Sequence, residues 1–201
     1  MRVRKARQED VGAAARLLFE SAPDMYMRFS GGRERALATL ERAFAEPGNV
    51  ASGDVTWLAE IDGRPAAAMA AFPVAEASAR SRAYLGLTLR STPVWRWPGT
   101  LRLYWVGGRA TPRPREHSFY IDALATDPVF RRRGAARALL DEAERRAREL
   151  GLPAVSLDTS MDNATARALY SAAGFDEVAY RAPGRGLPGF VALVKPLGPR
   201  Q

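Results

Sequence analysis

The sequence predicts an α/β protein in which helices enclose the strands, and three observations carry that reading. From His117 onward the chain alternates strand, helix, strand, helix, strand, the pattern of sheets covered by helices. The first half adds a short strand, two amphipathic helices and a hairpin marked by Asp62-Gly63. The chain has 201 residues, 47% hydrophobic and 26% charged, which suits one ordinary folded domain over 1–201.

Taken in order, Val3 to Ala6 alternates as a strand. Glu9 and Asp10 open a helix with Val11, Ala14, Ala15, Leu18 and Phe19 on one face, and Pro23 is expected to end it. Arg33 to Ala45 reads as a second helix on Leu37, Leu40 and Phe44, stopped by Pro47-Gly48-Asn49. Val55 to Ile61 and Arg64 to Phe72 are strands. Residues 76–116 hold Trp95, Trp97 and Trp105 with many prolines and glycines, and read as one or two helices and a Pro/Arg-rich loop. His117 to Thr126 is a strand. Gly134 to Leu150 is a helix, apolar at 136, 139, 140, 143, 147 and 150, with Arg137, Asp141, Glu144 and other charges on its opposite face. Ala154 to Thr159 is a strand, and Asp162 or Asn163 caps a helix ended by Gly174. Phe175 to Arg181 and Gly189 to Lys195 close the chain as strands.

Composition excludes several classes. There is no cysteine, so no disulfide framework, thiolate metal site or cysteine nucleophile. The single histidine, His117, excludes a multi-histidine metal site, and no metal is expected. The longest apolar run, Ala66 to Phe72, falls far short of the ~18 residues of a spanning helix. Arg16 interrupts the apolar stretch a secretory signal needs, so the expected location is cytoplasmic, with no membrane partner. The net charge is +8, and all basic residues but Lys5 and Lys195 are arginine, which suits phosphates and carboxylates but equally reflects a coding bias toward arginine.

The first constellation of functional residues is Arg131-Arg132-Arg133-Gly134-Ala135-Ala136, between a strand and the strongest helix. The first turn of a helix has free N–H groups and the positive end of the dipole, and Gly134 removes a Cβ there, so the motif reads either as an anion site or as a solvated basic turn with a glycine N-cap. No Gly-x-x-x-x-Gly-Lys-Ser/Thr or Gly-x-Gly-x-x-Gly is present, so ATPase and NAD-dependent readings fall. Two acids, Asp122 and Asp158, lie within or at the end of apolar strands, where unpaired acids are rare. Each is a candidate general base, a cation-binding group or a structural acid. Both point away from the more apolar strand face if strict alternation holds. Glu116 and His117 are weaker candidates.

Arg131-x-x-Gly134-x-Ala136, followed in register by Asn163-x-x-Ala166-x-x-x-Tyr170-x-x-x-Gly174-Phe175, resembles the paired signatures of the GNAT (Gcn5-related N-acetyltransferase) superfamily. The resemblance is close over about residues 117–196, covers residues 1–75 in element order, and hardly extends to residues 76–116. It implies a mixed central sheet of about six to seven strands, within which residues 76–116 read as a helical insertion between strands 3 and 4, next to the acceptor site. It implies acetyl-CoA as donor, its pyrophosphate on the amides around Arg131, Arg132, Arg133, Gly134, Ala135 and Ala136. The pantetheine arm would run beside Leu124, Ala125 and Thr126. Asn163 would contact the cofactor or fix a helix start, and Tyr170 would be the general acid.

The implied function is direct acetyl transfer to the primary amine of a small molecule. A protein N-terminus or lysine is the alternative acceptor. A nucleic-acid-binding module is a remote one, because the arginines are scattered and no known binding motif is present. The insertion's aromatics either wall an acceptor pocket or form a subunit interface, as in a homodimer.

Overall fold

The computed structural model describes residues 1–184 and 186–198. Its strands are β1 (Arg2–Lys5), β2 (Thr56–Ile61), β3 (Arg64–Pro73), β4 (Ser118–Thr126), β5 (Ala154–Ser160), β6 (Asp176–Arg181) and β7 (Phe190–Pro196). They form one mixed sheet in the order β1-β2-β3-β4-β5-β7-β6. Among the described residues only β4 and β5 pair in parallel. The last strand in sequence, β7, inserts antiparallel between β5 and β6. The turn joining β2 to β3 places Asp62 at φ 53° and Gly63 at φ 72°. Two successive left-handed residues are what a two-residue hairpin needs, and Asp-Gly accepts that conformation at little cost.

The helices are α1 (Val11–Phe19), α2 (Pro23–Ser30), α3 (Arg33–Ala45), α4 (Ala77–Arg90), α5 (Trp97–Ala110), α6 (Ala135–Glu149) and α7 (Ala164–Ala172). Pro23, expected to end the first helix, instead starts the second. In the first turn its missing N–H breaks no helical bond and its fixed φ already fits. α1 stops earlier, at Phe19. The insertion between β3 and β4 carries α4 and α5.

Alternation along the strands divides the core. On one side Leu139 and Leu140 of α6 meet Trp57, Met69, Phe119 and Val155. On the other, Leu18 of α1 and Leu40 and Phe44 of α3 meet Leu58, Ala68 and Ala70. From Ala67 to Ala71 the β3 side chains alternate between the two sides, and the alanines among them are enclosed, which lets the covering helices approach closely. Two positions on α6 depart from the pattern expected of its sequence. Leu150, expected on the apolar face, is exposed at the helix end. Glu144, expected on the charged face, is buried, because Lys195 of β7 and Arg148 both pair with it.

Candidate active site

β4 and β5 are paired only from Ser118↔Ala154 to Ile121↔Leu157. β4 then continues to Thr126 against β3, and β5 continues to Ser160 against β7. Beyond Ile121 the two strands part, so the β5-facing edge of Asp122, Ala123, Leu124, Ala125 and Thr126 has no strand partner among the described residues. A free edge of this kind accepts an extended ligand as though it were another strand.

Asp122 sits where the strands begin to part. Ala70 pairs with Ala123 and Ala71 with Ile121, so Asp122 is the extra residue of a β-bulge. Strict alternation therefore fails in β4. Ile121 and Leu124 face the α6 side, whereas Tyr120 and Ala123 face the other. Among the described residues Asp122 makes no hydrogen bond or ion pair, and solvent reaches it within the cleft. Surrounding protein, and secondarily the Asp158 carboxylate, push its carboxyl up to about 7. Asp158 itself is engaged, accepting a hydrogen bond from the Tyr120 hydroxyl at 2.5 Å. Burial raises Asp158, and the Tyr120 bond opposes that rise. The two candidate acids thus differ: one is held by a tyrosine and one is unpartnered.

Three tyrosines surround the acids. Tyr120 lies edge-on to Phe72, and Tyr26 of α2 lies edge-on to Tyr84 of α4 at 6.4 Å. Burial raises the pKa of all three phenols, and the nearby Asp122 charge adds to the rise in each. The Tyr84 hydroxyl is buried with no hydrogen-bond partner among the described residues. Sequence reasoning assigned no role to Tyr26 or Tyr120. The one signal available was that Tyr120 and Asp122 sit two residues apart in a strand. Glu116 and His117 lie exposed before the opposite end of β4.

At the far end of the free edge stands the basic loop. Gly134 is the N-cap of α6 at φ +84°, and Arg132 is also left-handed at φ 61°. A Cβ on Gly134 would meet only Met1 Cε at 3.8 Å, so the backbone conformation, rather than crowding by protein, calls for glycine. Arg131, Arg132, Arg133 and Gly134 are exposed, and Ala135 is buried beneath them. Arg133 reaches Asp62 at 3.1 Å. The unpaired amides of the α6 first turn and these guanidiniums could hold a pyrophosphate.

α7 starts at Asn163, whose Oδ1 accepts from Ala166 N at 3.1 Å; of the two expected caps, Asn163 serves. Tyr170, on the same helix, is 6% exposed and packs on Phe175. Its hydroxyl has no hydrogen bond among the described residues, yet it is not an enclosed, unsatisfied group. Burial, then the Asp158 charge, raises its pKa, so the phenol stays protonated. No group of acids and histidines that could hold a metal occurs among the described residues.

The sheet is thus mixed and parted at its centre, with amides and arginines at one end of the gap and a carboxylate at the other. Residues 19–175 match the Acetyltransferase (GNAT) family. The chain belongs to that family, whose members transfer the acetyl group of acetyl-CoA. No curated protein matches the chain. Among solved structures it is similar to an N-acetyltransferase from Staphylococcus aureus Mu50, at 19% identity and TM-score 0.75 over 96% of this chain and 100% of that one. A second acetyltransferase aligns at 21% identity and TM-score 0.71, covering 98% of this chain and 100% of that one. The ribosomal-protein-S18-alanine N-acetyltransferase from Escherichia coli aligns at 16% identity and TM-score 0.58, over 100% and 96% of the chains. Among the described residues no helix is long and apolar enough to cross a membrane.

Proposed function

We propose that the chain acetylates a primary amine of a small molecule, with Asp122 as general base and Tyr170 as general acid. The carrying observation is the unpartnered Asp122 carboxylate on the β-bulge where β4 and β5 part. Acetyl-CoA supplies an acyl group activated as a thioester. The free edge from Leu124 to Thr126, the Arg131–Ala136 loop and the α7 start at Asn163 would hold it. Asp122 accepts the proton that the amine loses as its nitrogen attacks the carbonyl carbon. A carboxyl near 7 is matched to that task at neutral pH. Tyr170 gives its proton to the sulfur as the carbon–sulfur bond breaks, and burial keeps the phenol protonated until then. Asp158 and Tyr120 form a positioning pair beside Asp122.

A small acceptor is favoured over a peptide because Tyr26 and Tyr84, from two separate helices, stand over the Asp122 side of the sheet. The aromatic insertion thereby contributes to the acceptor site through Tyr84. Free thiol release, measured over a panel of small primary amines and peptides, tests this. Small amines should give the higher kcat/KM. Faster acetylation of peptide N-termini or lysines would overturn the small-molecule reading, and no thiol release with any amine would overturn the activity.

A further inference from the structure

We propose that the cavity between α2 and α5 binds a small organic anion, a carboxylate or phosphate group carried on an apolar body. The cavity measures about 640 Å³, within the range of small-ligand sites. Arg28, Arg96 and Arg102 supply its charge, and Trp95, Leu103 and Val106 its apolar wall. No carboxylate lines it among the described residues.

What marks these three arginines is that they gather on one cavity without a counter-charge among the described residues. On α6, Arg137, Arg145 and Arg146 each reach an acid at 3.2 Å or less. Arg28, Arg96 and Arg102 have no acidic partner among the described residues. The deficit is written in the sequence: residues 77–115 contain eight arginines and neither Asp nor Glu. Like charges gathered without counter-charges raise the local potential and favour an anion.

The cavity is also built. Arg96 lies against the backbone at Gly31, where a Cβ would come within 2.5 Å of its guanidinium carbon. Glycine at φ +84° leaves room for it. Arg96 Nε is buried with no hydrogen-bond partner among the described residues. Thr100 of α5 donates to Phe29 O and joins the two helices beside the cavity. Trp95 is 78% exposed at its rim, an aromatic face open to a ligand.

This site is distinct from the acetyl-transfer site. On α2, Tyr26 faces the Asp122 side, while Arg28, two residues later and roughly 200° around the helix, lines the cavity. Arg28 also donates to Gly186 O at 2.7 Å, so a bound anion would contact a residue that reaches the segment between β6 and β7.

The test titrates phenyl phosphate and phenylacetate into the full chain by calorimetry and by tryptophan fluorescence, with phenethylamine and inorganic phosphate as controls. At least one aromatic anion should bind saturably at one site and quench Trp95. Its affinity should fall at least tenfold in Arg102→Gln and in Arg28→Gln. The tighter of the two anions identifies the preferred headgroup. Phenethylamine should not bind, inorganic phosphate should bind more weakly, and saturating acetyl-CoA should leave the site available. Arg102 is exposed and unpaired, so Arg102→Gln keeps the fold. Absence of saturable binding, unchanged affinity in Arg102→Gln, or displacement by acetyl-CoA would overturn the proposal. Loss of acetyl transfer alone would not touch it.

Discussion

Replacing Asp122 with Asn removes the proton acceptor and keeps its shape. In the parent the carboxyl sits at about 7. If its ionised form drives the reaction, kcat/KM at pH 6 should be about a tenth of the plateau and at pH 8 about nine-tenths of it. Asp122→Asn should lower the plateau by about 10²–10³ and erase this acidic limb. Asp158→Asn should act differently. Asp158 is the secondary cause of the Asp122 rise, so removing its charge should move the limb to lower pH while keeping it. Stability gives an independent reading, with its sign fixed by linkage. The folded value, about 7, lies above the ordinary 3.8, so ionising Asp122 costs folding free energy. That cost grows from about pH 4 to pH 7 and is constant above. The Tm advantage of Asp122→Asn over the parent should therefore be absent near pH 4 and present at pH 8. The assay is free thiol release across pH 5–9 with a saturating donor, alongside thermal melts at the same values. An Asp122→Asn enzyme that keeps the acidic limb and the parent plateau would refute the base assignment.

Four further substitutions test other parts of the structure. Gly134→Ala should cost about 1 kcal/mol in chemical denaturation, because a side chain resists φ +84°. Gly134→Glu should in addition weaken acetyl-CoA at least tenfold by calorimetry, and an unchanged affinity in a folded variant would remove the loop from the donor site. Tyr170→Phe should lower kcat about a hundredfold at nearly constant acetyl-CoA affinity and stability, since the hydroxyl has no partner among the described residues; equal kcat with chemistry rate-limiting would leave Tyr170 a core residue. Asp10→Asn should cost about 3 kcal/mol at pH 7. Arg4 grips both Asp10 oxygens at 2.6 and 2.8 Å and also reaches Glu60. The Arg4 hydrogen bonds hold the Asp10 carboxyl below its ordinary value, so its stabilisation is present above about pH 4 and lost as pH falls through the depressed value. Urea melts that show the same gap at pH 2 and pH 7 would contradict this.

Local features of this chain are legible in the order of its residues. Asp62-Gly63 signals a tight turn, because few other pairs accept two left-handed residues in succession. The helix at Ala135–Glu149 and its glycine start follow from periodicity and from one residue lacking a Cβ. The order of Arg131-x-x-Gly134-x-Ala136 and Asn163 to Phe175 carries the family, since the spacing that serves a helix start is itself a sequence property. Pro23 is ambiguous because a proline ends one helix and opens another equally well, and only the packing of α2 selects between them. Tertiary structure alone decides which acid is free. Asp122 and Asp158 look alike in sequence, yet a bulge opposite Ala70 and Ala71 and a hydroxyl from Tyr120 separate them. The parting of β4 from β5, the entry of β7 between β5 and β6, and the gathering of Arg28 with Arg96 and Arg102 likewise join residues far apart in the chain. Turn chemistry and helix caps act over a few residues and are written there. Strand register, cavity walls and charge neighbours arise from contacts across the whole chain, and no local run of residues encodes them.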